Sequence, residues 1–295
     1  MTSSFFPRDH RVRVLNYRAM ATASQRVKAD SLVQHSDAVT VASIAALAYM
    51  LGNILHEGFG HGGACILSGG RPLVLSSVHF ECSIETRLVA AGGTLANLLA
   101  GALFFVLGRL VSRTHPRLKF FLWLAMAVSL FAGTGYFLFS GIGGIGDWSD
   151  FIGGLGPQLP LRIGLTALGV FSYAAAAWVN LMELRPFIGS DQQRFTRASR
   201  MLTVAYFTGG ILMCVAGVFN PRGAILILIS SAASTFGGSS GLLWATQWLK
   251  SQSIAPLGPV GTPIVIQRSW VWTVLAVITM IVFVVVLGPG IRFRS

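Results

Sequence analysis

The sequence predicts an all-α fold: a polytopic membrane helix bundle of six to seven spans with a short hairpin-like loop after the first span. Three observations predict it. Only 11% of the 295 residues are charged while 53% are hydrophobic, whereas a soluble domain carries roughly 25% charged residues to clothe its surface. The apolar residues gather into blocks of about 20, the length an α-helix needs to cross roughly 30 Å of hydrocarbon. The blocks also run without period-2 alternation, so helices rather than a closed barrel must satisfy the backbone polar groups in lipid.

The blocks cover residues 38–56, 88–110, 120–140, 163–184, 201–219, 224–248 and 269–288. Gly237, Gly238, Ser239, Ser240 and Gly241 interrupt the sixth, and such a break suits a discontinuous helix lining a cavity. Together the blocks define one transmembrane domain, residues 37–295, behind a basic tail, residues 1–36. No apolar signal core precedes residue 38, so the tail reads as a cytoplasmic segment and not as a leader.

A net charge of +12 would suit nucleic acid, but the distribution of the charge excludes that partner. Arg8, Arg11, Arg13, Arg18, Arg26 and Lys28 precede the first span. Arg109, Arg113, Arg117 and Lys119 follow the second, Arg185, Arg194, Arg197 and Arg200 follow the fourth, and Lys250 and Arg268 bracket the loop after the sixth. The intervening loops hold Arg71, Arg87, Arg162 and Arg222. Basic loops on alternate sides predict a cytoplasmic N-terminus, with the lipid bilayer as the partner the charge serves. Trp244, Trp248, Trp270 and Trp272 flank the last basic loop, where amphipathic rings favour the membrane interface. Cys65 and Cys82 fall on the opposite, outer side and could pair in an oxidising compartment.

The first span runs into His56-Glu57-Gly58-Phe59-Gly60-His61. Ionisable residues in a membrane helix are costly and mark function by default. In the H-E-x-x-H motif two histidines four apart share a helical face and bind zinc, and the glutamate acts as general base. Here the spacing is one residue longer, and positions five apart stand about 140° around an α-helix. A π-bulge, or a helix ending near Gly58, would bring the imidazoles together, with Gly58 and Gly60 supplying permissive dihedrals. In the other register Glu57, His61 and Cys65 form an i, i+4 stripe, which requires the helix to continue through Gly62 and Gly63.

These residues resemble the intramembrane zinc metallopeptidases of the site-2 protease type over about residues 45–105. The resemblance rests on the His56-Glu57…His61 signature, on the Gly69-Gly70-Arg71-Pro72 turn entering the alternating stretch Leu73 to His79, and on Ala91-Gly92-Gly93-Thr94-Leu95-Ala96-Asn97. It implies a membrane-associated hairpin after the motif helix, bound zinc, and an aspartate as third ligand. The chain departs from the pattern in its extra motif residue and in lacking a clear Asn-Pro-Asp-Gly element. Asn180, Pro186 and Asp191 echo that element, but Asp191 falls in a basic loop across the membrane from His56. Asp147 and Asp150, after the third span, fall on the same side as the histidines, as do His79, Glu81 and Cys82 of the hairpin-like loop.

The reading is therefore a membrane-embedded zinc metallopeptidase that hydrolyses membrane-associated peptide substrates. His56, His61 and Asp147 are the expected ligands and Glu57 the general base; Asp150, His79 and Cys82 are alternatives for completing the site. A transporter or solute-binding membrane protein, and an inactive metallopeptidase-like scaffold, are the rival readings. Gly93, Asn97 and Gly101, at four-residue spacing, read first as a helix-packing stripe, with Asn97 alternatively orienting a motif ligand.

Overall fold

The computed structural model describes residues 35–223, 227–251 and 262–293. Nearly all of the expected N-terminal tail lies outside the described residues. Among these residues the protein is a helix bundle, and six of its helices are long and apolar enough to cross a membrane.

Helix α1 spans Ala38–Leu67. Asp37 caps its N-terminus by accepting from the Thr40 amide at 2.8 Å and is itself held by Arg268 at 2.8 Å. That Arg268 contact keeps the Asp37 carboxyl down at about 2. Strands β1, Pro72–Leu75, and β2, Phe80–Cys82, follow as the hairpin that the alternating stretch predicts. Helix α2, Arg87–Leu110, starts at Thr86, whose side chain accepts from the Val89 amide. Helix α3, Pro116–Gly143, opens on proline at a position where no amide is needed. A short helix, α4, Asp147–Ile152, lies between α3 and the long α5, Gln158–Ile188. Helix α6 covers Arg194–Val218 and α9 covers Trp270–Leu287.

The sixth apolar block is not one continuous helix. It divides into α7, Ile227–Gly237, wound as a π-helix, and α8, Gly241–Ser251; residues 224–226 lie outside the described residues. The break falls where glycine and serine interrupt the block. The Tyr173 hydroxyl of α5 stitches it, donating to Gly238 O at 2.6 Å and accepting from the Gly241 amide at 2.8 Å.

The core lies among α1, α3, α5 and α6, where Ile44, Leu124, Phe131, Leu181, Leu184, Phe187 and Leu202 are fully buried. Leu99, Phe171 and Val271 point outward, as lipid-facing side chains do. At one end of the bundle the basic residues tie chain segments together. Arg113 donates to Thr262 O, Arg117 to Gln267 O, and Arg197 to Ile188 O. Asp191 pairs with Arg197 at this end, and Asn180 donates to Ala176 O inside the bundle, so neither approaches His56.

The opposite end carries the hairpin, α4 and a strand the sequence gives little sign of. Strand β3, Ile291–Arg292, follows the last span and pairs antiparallel with β1, giving the order β2-β1-β3. Cys65 and Cys82 form a disulfide that fastens the end of α1 to β2.

Candidate metal centre

The backbone of α1 changes winding at the motif. Residues Ala38–Ile54 are α-helical, Leu55–Gly62 form a π-helix, and Gly63–Leu67 return to α. Bonding from i to i+5 widens the turn beyond four residues, so position i+5 comes back towards position i. The extra residue in the motif is absorbed in this way. His56 and His61, which an α-helix would hold about 140° apart, now face each other with Nε2 atoms 3.3 Å apart. The helix also continues through Gly62 and Gly63, but the Glu57–His61–Cys65 stripe does not become a ligand face, because the Cys65 sulfur is bonded to Cys82.

The glycines act differently from the expectation. Neither Gly58 nor Gly60 adopts a positive φ. A Cβ at Gly60 would stand 2.6 Å from Gly93 Cα and 2.7 Å from Gly92 O, so Gly60 is needed for backbone-to-backbone contact between α1 and α2. A Cβ at Gly58 would meet only Ile54 Cγ2 at 3.9 Å, and that glycine has no such role. Gly93 sits directly over the imidazoles. A Cβ there would lie 2.5 Å from His56 Nε2 and 2.6 Å from His61 Nε2. The stripe on α2 is thus only partly a packing device; Gly101, against Leu130, fits that description.

Asp147 reaches the histidines through a sharp turn. Gly144, at φ +67°, and Gly146, at φ +82°, take left-handed conformations that side chains disfavour, and they fold the chain from α3 back across the end of the bundle. Helix α4 is then pinned to α2. Trp148 Nε1 donates to Thr94 Oγ1 at 3.0 Å, and Arg87 donates to Phe151 O and Gly153 O at 3.1 and 3.2 Å. Asp147 Oδ2 consequently stands 3.2 Å from His56 Nε2 and 3.4 Å from His61 Nε2. Burial pushes the Asp147 carboxyl up, but the two imidazoles beside it outweigh burial and hold it below the usual carboxylate range.

Each histidine is oriented through its other nitrogen. His61 Nδ1 lies 2.7 Å from Val89 O, so it donates there and, in the neutral ring, leaves a lone pair on Nε2. His56 Nδ1 faces the Asn97 amide at 3.2 Å. With Nδ2 towards the ring, Asn97 Oδ1 is buried and unpartnered. Turning the amide so that Oδ1 accepts from Nδ1–H gives Oδ1 a partner and frees His56 Nε2. Tyr136 stacks on the His56 ring at 4.7 Å between centroids. Of the two roles weighed for Asn97, the orienting one is the one its contact describes. Loss of a hydrogen bond that orients a metal ligand costs about 10–100-fold in affinity. On the proposal that the cluster holds zinc, Asn97→Leu is expected to weaken its binding by that factor, measured by competition with a chelating dye; unchanged affinity would return Asn97 to packing.

Glu57 is buried and lines the same cavity as His56, His61 and Asp147. That cavity, of about 1260 Å³, opens towards the hairpin and is also lined by His79, Glu81, Asp150 and Arg222. Of the alternatives for completing the site, Cys82 is in the disulfide and Asp150 is absent from the ligand cluster. His79 lies 3.4 Å from Glu81, which also pairs with Arg222. Burial, aided by Arg222, pushes His79 down to about 4. His56, His61 and Asp147 are the one group of three possible ligands found among the described residues. No family model, curated protein or solved structure matches this chain.

Proposed function

We propose that the protein is a membrane-embedded zinc metallopeptidase of the site-2 protease type, acting on membrane-associated peptide segments. The observation that carries this reading is the triangle of His56 Nε2, His61 Nε2 and Asp147 Oδ2, with edges of 3.2, 3.3 and 3.4 Å. Donors bound at roughly 2.0–2.1 Å to a tetrahedral ion stand about 3.3–3.4 Å apart, and three protein ligands with an open fourth position are the pattern of catalytic zinc. Three acceptor atoms this close in a buried site are held together either by a shared metal ion or by a proton on one of the imidazoles, and the metal is the reading their spacing favours.

Zinc held there would supply a Lewis acid that polarises the scissile carbonyl and makes water more acidic. Glu57 is the general base: its carboxylate takes a proton from the water that adds to the carbonyl and returns it to the departing amine. Asn97 and Val89 O keep the imidazoles aimed, and the α4 contacts of Trp148 and Arg87 keep Asp147 in reach.

The test is the metal content of protein purified without chelator. We expect about one zinc per chain, from the three-ligand count, and loss of the metal in His56→Ala, His61→Ala and Asp147→Ala. Metal-free protein of normal stability would leave the three residues as a buried hydrogen-bonded triad and overturn the reading.

The same proposal carries an orientation, with the site end facing away from the cytoplasm. The basic loops gather at the other end, as the positive-inside rule asks of the cytoplasmic face, and a disulfide at the site end suits an oxidising compartment. A cysteine introduced by Ser24→Cys is expected to resist an impermeant thiol reagent in intact cells and to react after permeabilisation. Reaction in intact cells would invert the topology.

A further inference from the structure

Beside the candidate metal cluster lies a second and smaller space of about 60 Å³, which shares His56, Glu57 and Tyr136 with the large cavity. His56 and Glu57 form one wall of it, and Asn53, Ser77, Ser231 and Met213 contribute to the others. Three of its polar atoms, Asn53 Oδ1, Ser77 Oγ and Ser231 Oγ, are buried and have no protein partner. They come from three separate elements: α1, the hairpin turn and α7. Asn53 and Ser77 are neighbours, since Asn53 Nδ2 donates to Ser77 O at 3.0 Å. Ser77 and Ser231 are respectively 4% and 2% exposed, so bulk solvent does not reach their hydroxyls.

Buried polar atoms in native proteins find partners, and ordered water is the usual one where the space is polar and large enough. At roughly 30 Å³ per water this space has room for about two. The donor set also fits water better than a cation. Both serine hydroxyls can donate as well as accept, and the Asn53 amide presents a donor and an acceptor on the same wall.

We infer that this chamber is an internal water store beside Glu57, holding water molecules that hydrogen-bond Asn53, Ser77 and Ser231 and resupply the general base. The inference rests on the peptidase reading for its purpose, though not for its existence. Hydrolysis consumes one water per peptide bond, converting an amide into a carboxyl and an amine. A peptide segment seated in the large cavity covers the front of Glu57. A replacement water then comes from the chamber, whose lining shares His56 and Glu57 with the large cavity.

X-ray hydroxyl-radical footprinting tests the chamber directly, because radicals formed from bound water oxidise the side chains beside it. Met213 lines the chamber, whereas Met126 and Met201, which do not, sit in the core at comparable burial. In the detergent-solubilised full chain, Met213 is expected to oxidise several-fold faster than Met126 and Met201. Asn53→Leu, which keeps the branched shape while removing both polar atoms, and Ser231→Ala are each expected to bring Met213 down towards the other two. Equal protection of the three methionines in the unaltered protein would overturn the store, whatever the metal analysis finds. The supply role is read separately. Asn53→Leu should lower kcat on a fluorogenic peptide bearing an apolar membrane segment, with KM and zinc content unchanged. A hydrated chamber with unaltered kcat in that variant would overturn the role in supply. Absence of zinc, by contrast, would fell the peptidase reading and leave the footprint result standing.

Discussion

Replacing Glu57 by glutamine is expected to leave zinc in place and to remove peptide hydrolysis. The two side chains have nearly the same shape, and none of the three ligand atoms belongs to residue 57, so the metal cluster should assemble as before. What glutamine cannot do is accept a proton. Removal of a positioned general base costs about 10²–10⁴-fold in rate, and the measurement is turnover of a fluorogenic membrane-segment peptide in proteoliposomes beside zinc analysis of the same preparation. Hydrolysis at an undiminished rate would remove Glu57 from the mechanism. Solute flux that persists in Glu57→Gln, in a chain without peptidase activity, would instead favour the transporter reading.

Gly93→Ala is expected to abolish metal binding although it alters no ligand. The added methyl would occupy space 2.5 Å from His56 Nε2 and 2.6 Å from His61 Nε2, far inside van der Waals contact, and neither ring can retreat. Tyr136 stacks on His56, and Val89 O fixes His61. The loss in zinc affinity should therefore exceed the roughly 10–100-fold that follows removal of a supporting hydrogen bond. Alanine favours a helix over glycine, so insertion and folding of α2 should not suffer. Gly58→Ala is the matching control, since a Cβ there meets only Ile54 at ordinary contact distance. Full zinc occupancy in Gly93→Ala would show that the imidazoles do not sit beneath α2 as described.

Most of the bundle was legible because membrane spans announce themselves locally. A run of apolar residues about 20 long is a property of neighbours in sequence, and six of the seven expected blocks are long helices. The sixth block failed as a single helix at the glycines and serines that interrupt it. At the site, two inferences came from elementary geometry. The six-residue motif needed a local change of winding to make His56 and His61 converge, and α1 has it. Asp147 followed from counting which loops share a side of the membrane.

What the sequence concealed depends on contacts between distant segments. Hydropathy carries no information on what a glycine faces. Gly60 and Gly93 looked like conformational or packing residues until the crossing of α1 and α2 put one against backbone and the other against imidazole. Val89 contributes only its carbonyl, which has no side-chain signature at all. The sequence offered Cys65 and Cys82 as a possible pair, and it is the hairpin folding back onto the end of α1 that makes the bond. A sharper signal was available for Asn97: a lone amide one turn beyond Gly93, on the span after a histidine motif, is well placed to hold a ligand.

Strand β3 has a consequence for the order in which the protein is made. Strands β1 and β2 wall the large cavity, and β1 has an open edge until Ile291–Arg292 pairs with it. Residues 56–61 and Asp147 leave the ribosome long before residue 291, so a nascent chain carries the three candidate ligands before β1 gains its second partner strand. Only after α9 has been made can β3 pair with β1 of the hairpin that follows α1. The hairpin beside the cavity therefore gains its third strand later than the candidate ligand residues are made.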